Sequence, residues 1–211
     1  MVIRKIWEAI RGDSKSPGTI ALRVAIAGAI AFVGVAVIAI AGATGLAWTS
    51  TLKFCTSCHE MRDNPFKEYQ GTIHDTNRVG VRVTCSDCHV PHEPGPLIWR
   101  KINATFEIWG KITGVIDTRQ KFLALRPELA KKVWTRMLTT NSLECRNCHK
   151  VESFDPDKES DKAKNAHAKA EREGMTCIEC HYAIAHDEPK GPGPQELKKQ
   201  LGIGKLPWKV D

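Results

Sequence analysis

The chain carries one five-residue pattern four times: Cys55-Thr-Ser-Cys58-His59, Cys85-Ser-Asp-Cys88-His89, Cys145-Arg-Asn-Cys148-His149 and Cys177-Ile-Glu-Cys180-His181. All eight cysteines of the chain fall within these copies. The spacing has a chemical reason. Thiols three residues apart can add to the two vinyl groups of one haem, and the imidazole that follows is then aimed at the iron. Redox dithiols and zinc sites also use Cys-x-x-Cys, but neither requires a histidine directly after every pair. Four completed copies therefore predict a tetrahaem cytochrome c with four covalently bound haem c groups.

Each iron takes two axial ligands. The motif histidines His59, His89, His149 and His181 are the proximal candidates, leaving His74, His92, His167 and His186, with Met61 as a soft alternative. The first two motifs begin 30 residues apart and the last two 32 apart, and His74 and His167 precede the second and fourth by 11 and 10 residues. That regularity predicts two duplicated dihaem units. His186 follows His181 too closely to wrap around the same haem, so it is expected at a different iron. His92, three residues after His89, suits a surface or propionate contact better than ligation. Met61 can replace His59 on the same haem face or serve as a packing residue. With both axial positions filled by His or Met, the irons are low-spin electron carriers and not open catalytic sites. Two rivals stay open at this point: a plain electron shuttle and a terminal reductase with one open haem.

The elements that must position these groups follow from charge and hydropathy. Residues 1–23 form a mostly basic leader, and residues 24–48 carry no charge at all. An uncharged run of that length exceeds the roughly 20 residues a membrane-crossing helix needs. It is also longer than the roughly 7–15 apolar residues of a cleaved signal peptide. Trp48 suits the outer interface, and the basic leader places the N-terminus in the cytoplasm. Haem c is attached outside the cytoplasmic membrane, so residues 49–188 are expected as a periplasmic tetrahaem domain, single-pass anchored in a bacterial inner membrane. The pairs Ala27/Ala31 and Ala39/Ala43 are spaced for helix pairing, which leaves a homo-oligomer open.

The formal net charge of +7 comes with no nucleic-acid motif. It reads as a solvated surface, a membrane-facing rim or a docking face, with no nucleic-acid partner. Between the halves, helical spacing predicts one segment before Gly114 and another about Pro127 to Leu138. Trp99 and Trp109, with Arg100, Lys101 and Lys111, suit either a membrane surface or packing on haem faces. Residues 189–211 read as a Gly/Pro-rich linker that ends in a short helix or a disordered end. The fold class expected is mainly α, with one transmembrane helix, a haem-packed domain and little or no sheet.

Several strings are more specific than a haem pattern: Cys55-Thr-Ser-Cys-His-Glu-Met61-Arg-Asp-Asn, Thr72-Ile-His74, Gly80-Val-Arg-Val-Thr-Cys85-Ser-Asp-Cys-His-Val-Pro, Ile116-Asp-Thr-Arg-Gln-Lys-Phe, Glu144-Cys-Arg-Asn-Cys-His149 and Ile184-Ala-His186. By these the chain resembles the NapC/NirT family of membrane-anchored tetrahaem quinol dehydrogenases, most of all the branch that serves periplasmic nitrate reductase. The resemblance implies a quinol dehydrogenase or electron-transfer subunit. It would oxidise membrane quinol, menaquinol or ubiquinol, and feed a periplasmic terminal reductase or that reductase's small cytochrome subunit. It also implies Met61 as an axial ligand of haem 1 and His74, His167 and His186 as distal ligands. Lys101 matches the lysine that lines the family's quinol pocket, twelve residues after the second motif histidine. The pocket acid has no aspartate at its usual place, and Glu107 is the nearest carboxylate.

Overall fold

The structure is a computed structural model that describes Arg4, Trp7 and residues 17–209; most of the basic leader lies outside the described residues. The order is α1 (Pro17–Trp48), α2 (Leu52–Cys55), α3 (His59–Asp63), α4 (Pro65–Tyr69), α5 (Cys85–His89), α6 (Pro94–Ile112), α7 (Arg119–Thr139), α8 (Leu143–Arg146), α9 (Asp161–Glu173) and α10 (Pro194–Gln200). Three 3-10 turns, at Val151–Ser153, Pro156–Lys158 and Cys177–Glu179, interrupt the last third. The protein is mainly helical, and no strand occurs among the described residues. The chain divides into two compact units, Met1–Thr49 and Ser50–Asp211.

In the first unit, α1 is a 32-residue helix of mean hydropathy 2.7, long and apolar enough by length and composition to cross a membrane. Thr44 Oγ1 donates to the Ile40 carbonyl, keeping its hydroxyl satisfied within the helix.

In the second unit, the largest continuous core is small. Trp134, Met137 and Leu138 of α7 meet Ile178 of the fourth motif and Leu197 of α10, with Tyr182 edge-on to Trp134. α6 buries none of its residues; Trp99, Phe106 and Trp109 are each more than 60% exposed. A haem c domain has this economy because the porphyrins supply apolar surface that a small core lacks.

α7 differs from the sequence expectation. It begins at Arg119, well before Pro127, capped by Thr118 Oγ1, which accepts from Lys121 N at 3.2 Å. Pro127 sits inside the helix, where it forfeits one backbone hydrogen bond. Burial of Phe122 on one side of it and Trp134, Met137 and Leu138 on the other offsets that loss.

The tail differs too. The expected short helix is present as α10, but residues 193–208 are packed as a clamp on the C-terminal motifs and not extended as a linker. Pro194 and Leu197 are buried, Leu206 N donates to the Gly174 carbonyl at 2.9 Å, and Asn141 Nδ2 and Arg146 Nη1 donate to the carbonyls of Pro207 and Trp208 at 2.8 and 2.7 Å. Gly174 ends α9 at φ +65°, where a Cβ would come within 2.5 Å of Lys205 Cβ. A glycine is required there on both counts.

Candidate haem and electron-transfer site

Each motif is set by its own local chemistry. Before the second, Thr84 N and Oγ1 donate to Asp87 Oδ2 at 2.6 and 2.8 Å. Before the fourth, Thr176 N donates to Glu179 Oε1 at 2.8 Å. In both, a Thr stands before the first cysteine and an acid before the second, closing a capping box that presents the Cys-x-x-Cys turn. The third motif is launched by Asn141 and Ser142, both at φ 54°, a left-handed conformation that non-glycine residues hold only when the surroundings fix it. Ser142 is fully buried, and its Oγ accepts from Ile178 N at 3.1 Å and from Thr176 Oγ1 at 2.8 Å. That hydroxyl ties the third motif to the fourth.

The motifs associate in twos. The Cys55 side chain lies beside that of Cys85, and that of Cys145 beside that of Cys177. α5 packs on both α2 and α8, so the second motif links the first to the third. None of the eight cysteines, all of them described, is in a disulfide.

The imidazoles also come in twos. The ring centres of His74 and His149 are 6.2 Å apart, those of His89 and His186 6.1 Å, and those of His167 and His181 6.4 Å. Two imidazoles on opposite faces of one iron, with Fe–N about 2 Å and each ring centre about 1 Å beyond its nitrogen, stand roughly 6 Å apart. Burial holds His74, His89, His181 and His186 below the usual imidazole pKa, which keeps them in the neutral, ligating form. His186 is thus brought to the second motif's histidine and not to His181, as its short link to His181 requires. His74 meets the third motif and His167 the fourth, so the pairing does not follow the duplication of the sequence.

His59 and His92 are the two left over. His59 Nε2 lies 3.3 Å from Glu60 Oε1, and His92 is half exposed, 3.7 Å from Asp87. Met61, two residues beyond His59, is 39% exposed.

The loops that carry the distal imidazoles are pinned. Asp75, beside His74, accepts from Gly71 N at 2.8 Å and pairs with Arg82 at 2.6 Å. The Tyr69 hydroxyl faces the carbonyls of His74 and Val83, donating to one at a time. Glu68 pairs with Arg126 and accepts from Asp187 N at 3.1 Å, next to His186.

Around the first motif, Lys101 lies near Cys55, and burial lowers the lysine's own pKa. Glu107 is six residues further along α6, about 120° around the helix. It pairs with Arg100 at 3.0 Å and is 65% exposed, so the structure does not bring it together with Lys101. The buried carboxylate near the first motif is instead Glu60, 4% exposed, held by Lys111 Nζ at 2.7 Å. Burial, the largest single influence, opposes its charge, but the hydrogen bond and charge of Lys111 together with a backbone hydrogen bond outweigh it and its pKa falls. Sequence reasoning gave Glu60 no role. Its signal was a charged residue inside the Cys-His-Glu-Met string.

These residues fit haem c. The imidazoles face in twos, and among the described residues no three His, Cys, Asp or Glu side chains converge as a bare-ion site. Buried donors without a partner, Arg136 Nη2 and Asn147 Nδ2, suit the carboxylates that a haem carries. The sequence profile described as "NapC/NirT cytochrome c family, N-terminal region" matches residues 18–191. The chain belongs to the NapC/NirT cytochrome c family. It is similar to the denitrification system component NirT of Stutzerimonas stutzeri, at 50% identity over 70% of this chain and 74% of that one. It is 45% identical to the cytochrome c-type protein NapC of Escherichia coli K12, over 89% of this chain and 91% of the relative. A protein of Allochromatium vinosum whose name describes a tetraheme cytochrome-c type is 45% identical over 76% of this chain and 87% of its own length. No solved structure matches the chain. As a NapC/NirT member the protein is a membrane-anchored cytochrome c that transfers electrons through covalently attached haem c.

Proposed function

We propose that this chain is a quinol dehydrogenase. It takes electrons from membrane quinol at its first haem motif and delivers them, across four haem c groups, to a periplasmic reductase. The observation that carries this reading is the three facing imidazole pairs. Irons held by such pairs would have no position open for a substrate at the second, third or fourth motif, which supports an electron carrier over a terminal reductase. When bound, the haems would supply the one-electron centres through which charge passes.

The residues then divide the work. His149 with His74, His89 with His186 and His181 with His167 would hold the irons of the third, second and fourth motifs, and Met61 would hold the first. His59, turned to Glu60, is the histidine that Met61 replaces. Lys101, beside Cys55 and partly desolvated, is suited to grip a quinol oxygen. Of the two carboxylates, Glu60, paired with Lys111, is the buried one beside the first motif, while Glu107, paired with Arg100, is 65% exposed. With the basic leader inside, the Ser50–Asp211 unit faces the periplasm of a bacterial inner membrane. The acceptor is a reductase of nitrogen-oxide respiration, nitrate reductase first. The specific strings shared with the nitrate-reductase branch support that choice, as does a relative named for denitrification.

Stopped-flow haem reduction by a short-chain quinol tests this in detergent-held protein. Lys101→Ala should slow quinol-driven reduction at least tenfold while dithionite still reduces all four haems. Equal rates in the two proteins would remove Lys101 from the site. No reduction by quinol in either would leave a tethered shuttle.

A further inference from the structure

Of the three distal imidazoles, one has a partner that the others lack. His167 Nδ1 lies 3.2 and 3.1 Å from the two carboxylate oxygens of Glu159. The ring centres of Phe154 and Trp208 stand 5.6 and 5.8 Å from that of His167. Both partners of the hydrogen bond are largely shielded, with side-chain exposures of 29% for His167 and 19% for Glu159. By contrast His74 Nδ1 and His186 Nδ1 are buried without a hydrogen-bond partner. The Pro65 carbonyl is near the His186 ring but not in bonding geometry with Nδ1.

We propose that Glu159 is a positioning residue for the fourth haem: it holds the Nδ1 proton of His167, turns Nε2 toward the iron and keeps that haem's reduction potential low. The proposal rests on the axial pairing of His167 with His181 given above. The chemistry is that of a carboxylate–imidazole–metal triad. A carboxylate on the outer nitrogen fixes the tautomer and makes the ring a more basic ligand, which favours ferric over ferrous iron. The Phe154 and Trp208 rings strengthen the effect, because a charge-assisted hydrogen bond is stronger where water is excluded. Trp208 lies beyond the family-matched residues, so the C-terminal clamp contributes to this haem's surroundings as well as to stability. Neither His74 nor His186 has a carboxylate on Nδ1, so the device is specific to the haem of the last motif.

The test uses the full-length haem-loaded protein in detergent. Glu159→Gln keeps the size and a neutral acceptor but removes the charge, and Glu159→Ala removes both. Redox titration followed by optical and EPR spectra reads each haem separately, and haem content is counted alongside. The expected result is unchanged haem content with one haem made easier to reduce by about tenfold, about 59 mV for a one-electron couple. Glu159→Ala should in addition alter the low-spin EPR signal of that same haem. Unshifted potentials in both variants overturn the proposal, as does loss of one haem from both, which would leave Glu159 a purely structural residue. Wild-type protein lacking three bis-histidine EPR signals would instead overturn the axial pairing itself.

Discussion

Lys198 is the most informative position at which to disturb the C-terminal clamp. Its Nζ donates to Glu179 Oε1 at 2.8 Å and to the Gly174 carbonyl at 2.7 Å, and the two charged side chains are only 10% and 5% exposed. Lys198→Ala leaves Glu179 a buried carboxylate without its cation, a change that typically costs 3–5 kcal/mol. Thr176 N still donates to the same oxygen, so the lower end applies, about 3 kcal/mol. With a guanidinium slope of about 4 kcal/mol per molar, the unfolding midpoint should fall by roughly 0.7 M. Circular dichroism during guanidinium titration of the haem-loaded protein measures this, since covalent haem is retained in both states. The double variant Lys198→Met with Glu179→Gln should recover more than about 1 kcal/mol relative to the sum of the single changes. A loss below about 1 kcal/mol for Lys198→Ala, or strict additivity, would refute a buried pair at the fourth motif.

His186→Ala should convert one low-spin haem, that of the second motif, into a five-coordinate high-spin centre, visible as a new high-spin EPR signal; an unchanged spectrum refutes the His89–His186 pairing. Asp75 governs an acid-sensitive loop. The Gly71 amide first, and then Arg82 against some burial, depresses its folded pKa below the ordinary carboxylate value of about 3.9. Its stabilisation is therefore complete above that value and is lost as pH falls through the lowered one. Asp75→Asn should flatten the loss of the His74 haem's low-spin signal between about pH 5 and 2, and an unchanged acid profile would count against this role. Gly174→Ala, forced into φ +65° and against Lys205, should cost at least about 1 kcal/mol by the same guanidinium titration; a neutral effect would mean the clamp is loose.

Covalent haem c was legible in the Cys-x-x-Cys-His motifs because their chemistry is local: two thiols and an imidazole within five residues need no tertiary structure to be recognised. The α1 anchor was legible for a similar reason, since hydropathy over a window is a property of composition. The two central helices were half legible. Their existence followed from periodicity, but the start of α7 did not, because burial of Trp134, Met137 and Leu138 overrides the local penalty at Pro127. The tail was half legible: its short helix was expected, but its docking was not, for want of any local signal. Gly/Pro-rich sequence says where a helix cannot form, and nothing about Leu197 and Trp208 finding partners such as Leu138 and Arg146, far earlier in the chain.

The sequence by itself determined which atoms could bind haem, how many haems there could be, and that one segment was apolar enough to anchor the chain. Only the tertiary structure decided which imidazole faces which: His74 with His149, His186 with His89 and His167 with His181. It also decided that Glu60 and not Glu107 is the buried carboxylate near the first motif, and that Glu159 reaches His167. The physical reason is that a haem ligand or an outer carboxylate acts through distances of a few ångströms, while the residues involved are separated by up to 97 positions in the chain. Spacing along the backbone fixes a side chain's neighbours only within a turn or two of helix; beyond that, the packing of the loops fixes them.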